Sequence, residues 1–153
     1  MHTAPGSGYR TKTRIVLFAE DNADVREVYA LALRDAGLAV VEISSVAEAL
    51  EIGPRLCPDL VVLDRHLIDG DGWDVARALK ASPLTKNTPI IAFTASRGRG
   101  DVEGALVAGC DAFLEKPCTP DQLVRFALGL LELPLPEDED AGAASAPFLR
   151  KLA

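Results

Sequence analysis

The chain has 153 residues, 48% of them hydrophobic and 25% charged, with a formal net charge of −7. That length suits one compact α/β domain plus tails and is too short for two domains of that size. The composition is that of a soluble globular chain, and its acidic balance argues against a surface built to bind nucleic-acid phosphates. Cys57, Cys110 and Cys118 are widely spaced, with no C-x-x-C and no nearby His pair. Neither a zinc site nor a disulfide framework is indicated, and a reducing cytoplasm is the expected location. Met1 to Thr13 lacks the apolar stretch of a signal peptide, and no later run has the length of a membrane span.

From Arg14 to Leu133, short β-rich apolar runs alternate with segments of helical period, the pattern of a parallel sheet wrapped by helices. Ile15 to Ala19 is apolar enough for a strand buried on both faces, and Asn22 caps a helix predicted over Ala23 to Asp35, with Gly37 as its stop. A second strand, Leu38 to Ile43, leads to a capping box at Ser45 and Glu48 and a helix predicted through Ile52, with Pro54 and Pro58 bounding the next loop. Asp59 to Leu63 is the third strand. A turn-rich stretch to Gly72 follows, then a helix from Trp73 to Lys80. Pro89 to Phe93 is the fourth strand, and the glycine-flanked arginines Arg97 and Arg99 read as a loop before a helix over Asp101 to Ala108 that stops at Gly109. Ala112 to Leu114 is a short fifth strand, and Thr119, Pro120 and Gln122 open a last helix to about Leu131. From Pro134 the composition turns to Pro, the acidic run 137–140 and an Ala/Gly/Ser stretch, which predicts a disordered tail over 134–153.

In an open parallel sheet, ligands bind beyond the carboxyl ends of the strands. Those ends carry Glu20 and Asp21 after strand one, Asp64 after strand three, Thr94 at strand four, and Glu115, Lys116 and Pro117 after strand five. Taken singly, each has an ordinary reading as a helix cap, a dipole partner or a solvated charge. Together they place carboxylates, a hydroxyl and an ammonium on one rim. Clustered carboxylates repel unless a hard cation joins them, and an oxygen-only set favours magnesium over zinc or copper. A carboxylate beside such a cation can act as a nucleophile toward a phosphoryl group, with a Lys and a Thr hydroxyl holding its other oxygens.

These residues and their spacing resemble the response-regulator receiver family over Arg14 to Leu131. Glu20 and Asp21 match its acidic pair, Asp64 its phospho-acceptor, and Asp71-Gly72 the turn before its third helix. Thr94-Ala95 match its switch hydroxyl and small neighbour, Phe113 its switch aromatic, and Lys116-Pro117 the end of its fifth strand. The resemblance implies a flavodoxin-like, doubly wound, five-stranded parallel sheet of order 2-1-3-4-5 with five helices. It divides the chain into a flexible segment 1–13, a receiver 14–133 and the tail 134–153. It implies Mg2+ held by Asp21, Asp64 and the backbone carbonyl of His66, with Glu20 acting mainly through water, and a cis Lys116-Pro117 peptide. Catalytic roles fall to Asp64, Lys116 and Thr94, and switch roles to Thr94 and Phe113, the ring moving into space that Thr94 vacates.

The implied partners are a sensor histidine kinase or histidine phosphotransfer protein as phosphoryl donor and a downstream protein that reads the surface of helix four, strand five and helix five. No nucleic acid, membrane or output domain is expected, and the only catalysis is the chain's own phosphorylation and slow dephosphorylation. Two positions depart from the family's usual pattern: Glu20 is one methylene longer than Asp, and Ile68 stands where Pro is common. Ser96, two beyond Thr94, occupies a position that influences phosphoryl lifetime. A rival class, the aspartyl-phosphate phosphatases of haloacid-dehalogenase type, requires a second Asp where this chain has His66. The other alternative is a receiver-like interaction module that is never phosphorylated.

Overall fold

The structure, a computed structural model, describes residues 12–95 and 98–136 and the backbone of 149–151. Strands β1 (Ile15–Ala19), β2 (Ala39–Ile43), β3 (Leu60–Leu63), β6 (Ile90–Thr94) and β7 (Ala112–Glu115) form a parallel sheet of order β2-β1-β3-β6-β7. This is the expected 2-1-3-4-5 order, because two short strands unseen in the sequence take the intervening numbers. They are β4 (His66–Leu67) and β5 (Gly70–Asp71), an antiparallel hairpin inside the predicted turn-rich stretch.

The five expected helices are α1 (Ala23–Asp35), α2 (Val46–Leu56), α3 (Gly72–Ala81), α4 (Arg99–Ala108) and α5 (Pro120–Leu130). Their ends follow the expected chemistry. Asn22 accepts from the Val25 N–H, Gly37 and Gly109 adopt φ of +96° and +100° past α1 and α4, and Thr119 and Gln122 complete a reciprocal capping box. Ser45 accepts from the Glu48 N–H, while the Glu48 carboxylate reaches back to the Ser44 N–H.

Two boundaries differ from expectation. Helix α2 runs through Pro54 to Leu56 and closes on Cys57 at φ +46°. A proline removes one N–H bond, and in the final turn that loss is outweighed by packing: Ile52 and Leu56 lie against the core, and a Cβ on Gly53 would stand 2.8 Å from the Leu79 side chain. The second difference is β8 (Leu149–Lys151), which pairs antiparallel with β7 and corrects the disordered tail at those three residues. As an outer strand, β7 offers unpaired backbone groups along one side, and a strand laid there satisfies them. The segment 1–11 and the acidic run 137–140 lie outside the described residues, as do Ser96 and Arg97.

Two cores flank the sheet. One packs Phe18, Leu60, Val62 and Phe93 under α1 and α5, and the other packs Leu17, Val61, Leu63 and Phe113 under α2, α3 and α4. The strands alternate between these cores, which explains their unbroken apolar runs. Register then aligns the strand ends: Ala19 pairs with Leu63, placing Glu20 beside Asp64, and Thr94 pairs with Glu115, placing Lys116 one residue beyond.

The tightest backbone approach lies just past this rim. A Cβ on Gly72 would fall 2.1 Å from the Asp64 carbonyl oxygen, whereas one on Gly100 would meet nothing within 4 Å. Gly72→Ala is expected to destabilise the fold by about 2–4 kcal/mol. Gly100→Ala, in a helix and unobstructed, should be neutral or stabilising by up to about 1 kcal/mol. Urea denaturation of the two variants checks both, and equal effects would contradict the close approach.

Candidate functional site

Each rim residue is fixed by the main chain that carries it. The Asp64 N–H donates to the Ala19 carbonyl at 3.0 Å, the Glu20 N–H to the Ile43 carbonyl at 3.0 Å, and the Lys116 N–H to the Thr94 carbonyl at 3.0 Å. Glu20, Asp64 and Thr94 are 1%, 5% and 1% exposed, so two carboxylates and a hydroxyl are withdrawn from solvent, while Asp21 stays exposed.

The Lys116 ammonium joins them. Nζ lies 3.0 Å from Asp64 Oδ2 and makes a short hydrogen bond to Glu20 Oε1, and it stands 4.9 Å from the centroid of the Phe93 ring. The Lys116-Pro117 peptide is cis, as expected. The other Asp64 oxygen, Oδ1, accepts from the His66 N–H at 3.2 Å, and Glu20 Oε2 accepts from the Asn22 N–H at 3.1 Å. The Asp64 carboxylate is thus held from both sides, by an ammonium and by a backbone amide.

Electrostatics in the cluster are unbalanced. Burial raises the Glu20 carboxyl, against the pull of Lys116, from the usual carboxylate range to about 7, with the Asp64 charge adding to the rise. For Lys116, burial lowers the pKa, but bonds and charges from Glu20 and Asp64 outweigh it and the net direction is up. One ammonium therefore serves more carboxylate than it neutralises. Oxygens of Glu20, Asp21 and Asp64 all lie within 4.8 Å of one another, with no His or Cys in the group. A hard dication fits that oxygen-only donor set and would supply the missing positive charge.

The structure brings together Glu20, Asp21, Asp64, Thr94 and Lys116 on this rim. Glu20, 1% exposed, touches Lys116 directly. Phe113 is 1% exposed and packed in the core under α4. Cys57 is exposed at the end of α2.

Two features escaped the sequence reading. Asp69, in the β4–β5 turn, accepts from the N–H groups of Val46 and Ala47 at 2.6 and 3.1 Å and so ties the hairpin to the start of α2. Arg65 pairs with Asp71 and Asp101 and faces the Trp73 ring. Both depend on contacts between residues distant in sequence, although an Asp before Gly70 in a turn was a local signal.

The chain belongs to the response regulator receiver domain family, whose profile matches residues 16–127. It is a receiver domain of two-component signalling. Among curated relatives, it is 33% identical over 128 residues to the phosphate regulon transcriptional regulatory protein PhoB of Pseudomonas aeruginosa, covering 84% of this chain and 56% of that protein. The chain thus spans little more than half the length of that relative. It is 29% identical over 112 residues to the polar-differentiation response regulator DivK of Brucella ovis, covering 73% of this chain and 91% of DivK. Among solved structures, the receiver domain of the sensor histidine kinase PA1611 from Pseudomonas aeruginosa, with a magnesium ion coordinated in its active site cleft, matches at a TM-score of 0.73. It is 29% identical and covers 79% of this chain and 99% of that one. No helix among the described residues is long and apolar enough to cross a membrane.

The raised Glu20 pKa makes a signed prediction. A carboxyl whose folded pKa exceeds its unfolded value stabilises the fold while protonated, so this contribution is complete below about pH 4 and lost as pH rises through about 7. In chelator, urea denaturation should show wild type losing on the order of 1–3 kcal/mol relative to Glu20→Gln between about pH 5 and pH 8. Parallel pH profiles for the two proteins would contradict it.

Proposed function

We propose that Asp64 accepts a phosphoryl group from a phosphohistidine on a sensor histidine kinase or histidine phosphotransfer protein, and that the altered surface controls a downstream protein. The observation that carries this reading is the double hold on the buried Asp64 carboxylate, Lys116 Nζ at 3.0 Å and the His66 N–H at 3.2 Å, inside a cluster of three carboxylates. In the reaction an Asp64 oxygen attacks phosphorus, the P–N bond breaks, and the imidazole leaves with the bonding pair and takes up a proton. Lys116 provides a fixed positive charge for a phosphoryl oxygen, and Thr94, anchored beside it through the Thr94 carbonyl, offers a hydroxyl to another.

Asp21, Asp64 and the His66 carbonyl would hold Mg2+, with Glu20 beside them, in keeping with the magnesium-bound PA1611 receiver. When bound, magnesium neutralises charge on the incoming phosphoryl group. Residues 14–133 form the receiver in this reading, with 1–13 and 134–153 as flanking segments. The exchange takes place in the cytoplasm, in keeping with three free cysteines, and involves no nucleic acid or membrane surface. The chain is a signalling receiver, and its catalysis is limited to its own phosphorylation and slow dephosphorylation.

Output runs through Thr94 and Phe113 to the face of α4, β7 and α5. Helix α4 presents Leu106 and Val107 to solvent at 46% and 78% exposure, a surface suited to a protein partner.

Incubation with acetyl phosphate and magnesium should give a phosphoryl adduct by intact-protein mass spectrometry that hydroxylamine removes and that both chelator and Asp64→Asn abolish. A folded wild-type protein that takes no adduct, from acetyl phosphate or from a phosphohistidine donor, would favour the module that is never phosphorylated. Lys116→Ala should stay folded yet show no phosphorylation-dependent change in partner affinity; a retained change would remove Lys116 from the switch.

A further inference from the structure

Arg65 is rooted one residue from the acceptor. Its backbone is fixed by the Gly72 N–H, which donates to the Arg65 carbonyl at 2.6 Å at the same close approach that requires glycine. Its side chain crosses to another element. The guanidinium lies 5.9 Å from the Trp73 ring centroid, Nε stands 3.5 Å from Asp71 Oδ2, and Nη1 makes a short hydrogen bond to Asp101 Oδ1 in the first turn of α4. The pair is only partly exposed, at 33% for Arg65 and 20% for Asp101, which limits solvent screening.

At that end of α4 the partly buried Val102 packs against the core. Gly98 at its N-cap supplies no side-chain hydrogen bond. Its buried side chains, among those described, are the small Ala105 and Ala108, whereas α5 buries Leu123, Val124, Ala127 and Leu128. Gly104 meets Trp73 so closely that a Cβ there would lie 3.1 Å from the indole Nε1, a buried donor without a hydrogen-bond partner among the described residues. This contact gives α4 a smooth, apolar seat with no polar tie of its own. Among the described residues, the Arg65–Asp101 pair is the charged link from the acceptor loop to the helix.

We propose that Arg65 is a positioning residue that latches the first turn of α4 to the acceptor loop, and that a phosphoryl group on Asp64 draws the guanidinium from Asp101 and frees the helix. The release rests on Asp64 being the phospho-acceptor; the latch itself does not. A phosphoryl dianion binds guanidinium more strongly than a single carboxylate does, and it adds repulsion against Asp101. The charge added at Asp64 thereby changes the hold on α4 without any movement of Phe113.

Hydrogen exchange by mass spectrometry over residues 99–108 tests both halves. In unphosphorylated protein, Arg65→Gln and Asp101→Asn should each speed exchange in α4 by roughly three- to tenfold, and the double variant should be no faster than the faster single one. Asp71→Asn, which keeps the oxygen that caps α3 and loses a pair that does not reach α4, should leave α4 unchanged, and α5 should be unchanged in all four variants. Unaltered α4 exchange in Arg65→Gln, or additive effects in the double variant, would overturn the latch. Phosphorylated wild type, its adduct verified by mass, should match Arg65→Gln. An adduct with no change in α4 overturns the release while leaving the proposed function standing, and failure to form any adduct overturns the function and the release together.

Discussion

The Lys116 ammonium, shared between two buried carboxylates, is the interaction on which the site depends. Asp64 and Glu20 are each at most 5% exposed, and burying either charge without a counter-charge carries a cost. Lys116 makes the arrangement tolerable but does not balance it, and the remaining deficit appears as the raised pKa of Glu20. The same deficit suits the cluster to a hard cation. Fold stability and the charge arrangement of the rim therefore pull in opposite directions.

The sheet makes this cluster possible. Parallel strands buried on both faces end at one rim, and the register between β1 and β3 sets Glu20 beside Asp64 without any loop having to find its place. From β7 the chain delivers Lys116 across β6, with the Thr94 carbonyl as its anchor. Past the rim, Gly72 lets the start of α3 press against the Asp64 backbone, so the acceptor is backed by main chain. Its charge can then act on neighbours such as Arg65 through a stiff frame.

Much of this was legible in the sequence because it rests on local rules. The apolar runs, the caps at Asn22, Ser45 and Thr119, and the stops at Gly37 and Gly109 each follow from a few adjacent residues, and they suffice to place the five parallel strands and their terminal carboxylates. Less visible were features set by packing. The continuation of α2 through Pro54 depends on Gly53 meeting Leu79, the β4–β5 hairpin on Asp69 capping a helix some twenty residues earlier, and β8 on an edge that exists only once the sheet has formed. Nothing in the sequence singled out Arg65, because its partner Asp101 lies 36 positions away.

The central claim is that the rim is a charge-deficient carboxylate cluster completed by a dication. Calorimetric titration of magnesium at about pH 6.5, repeated in buffers of different ionisation enthalpy, counts the protons released on binding. The account predicts binding that releases a substantial fraction of one proton in wild type, and binding without that release in Glu20→Gln. Magnesium binding with no proton release in wild type, or no binding at millimolar magnesium, would contradict it.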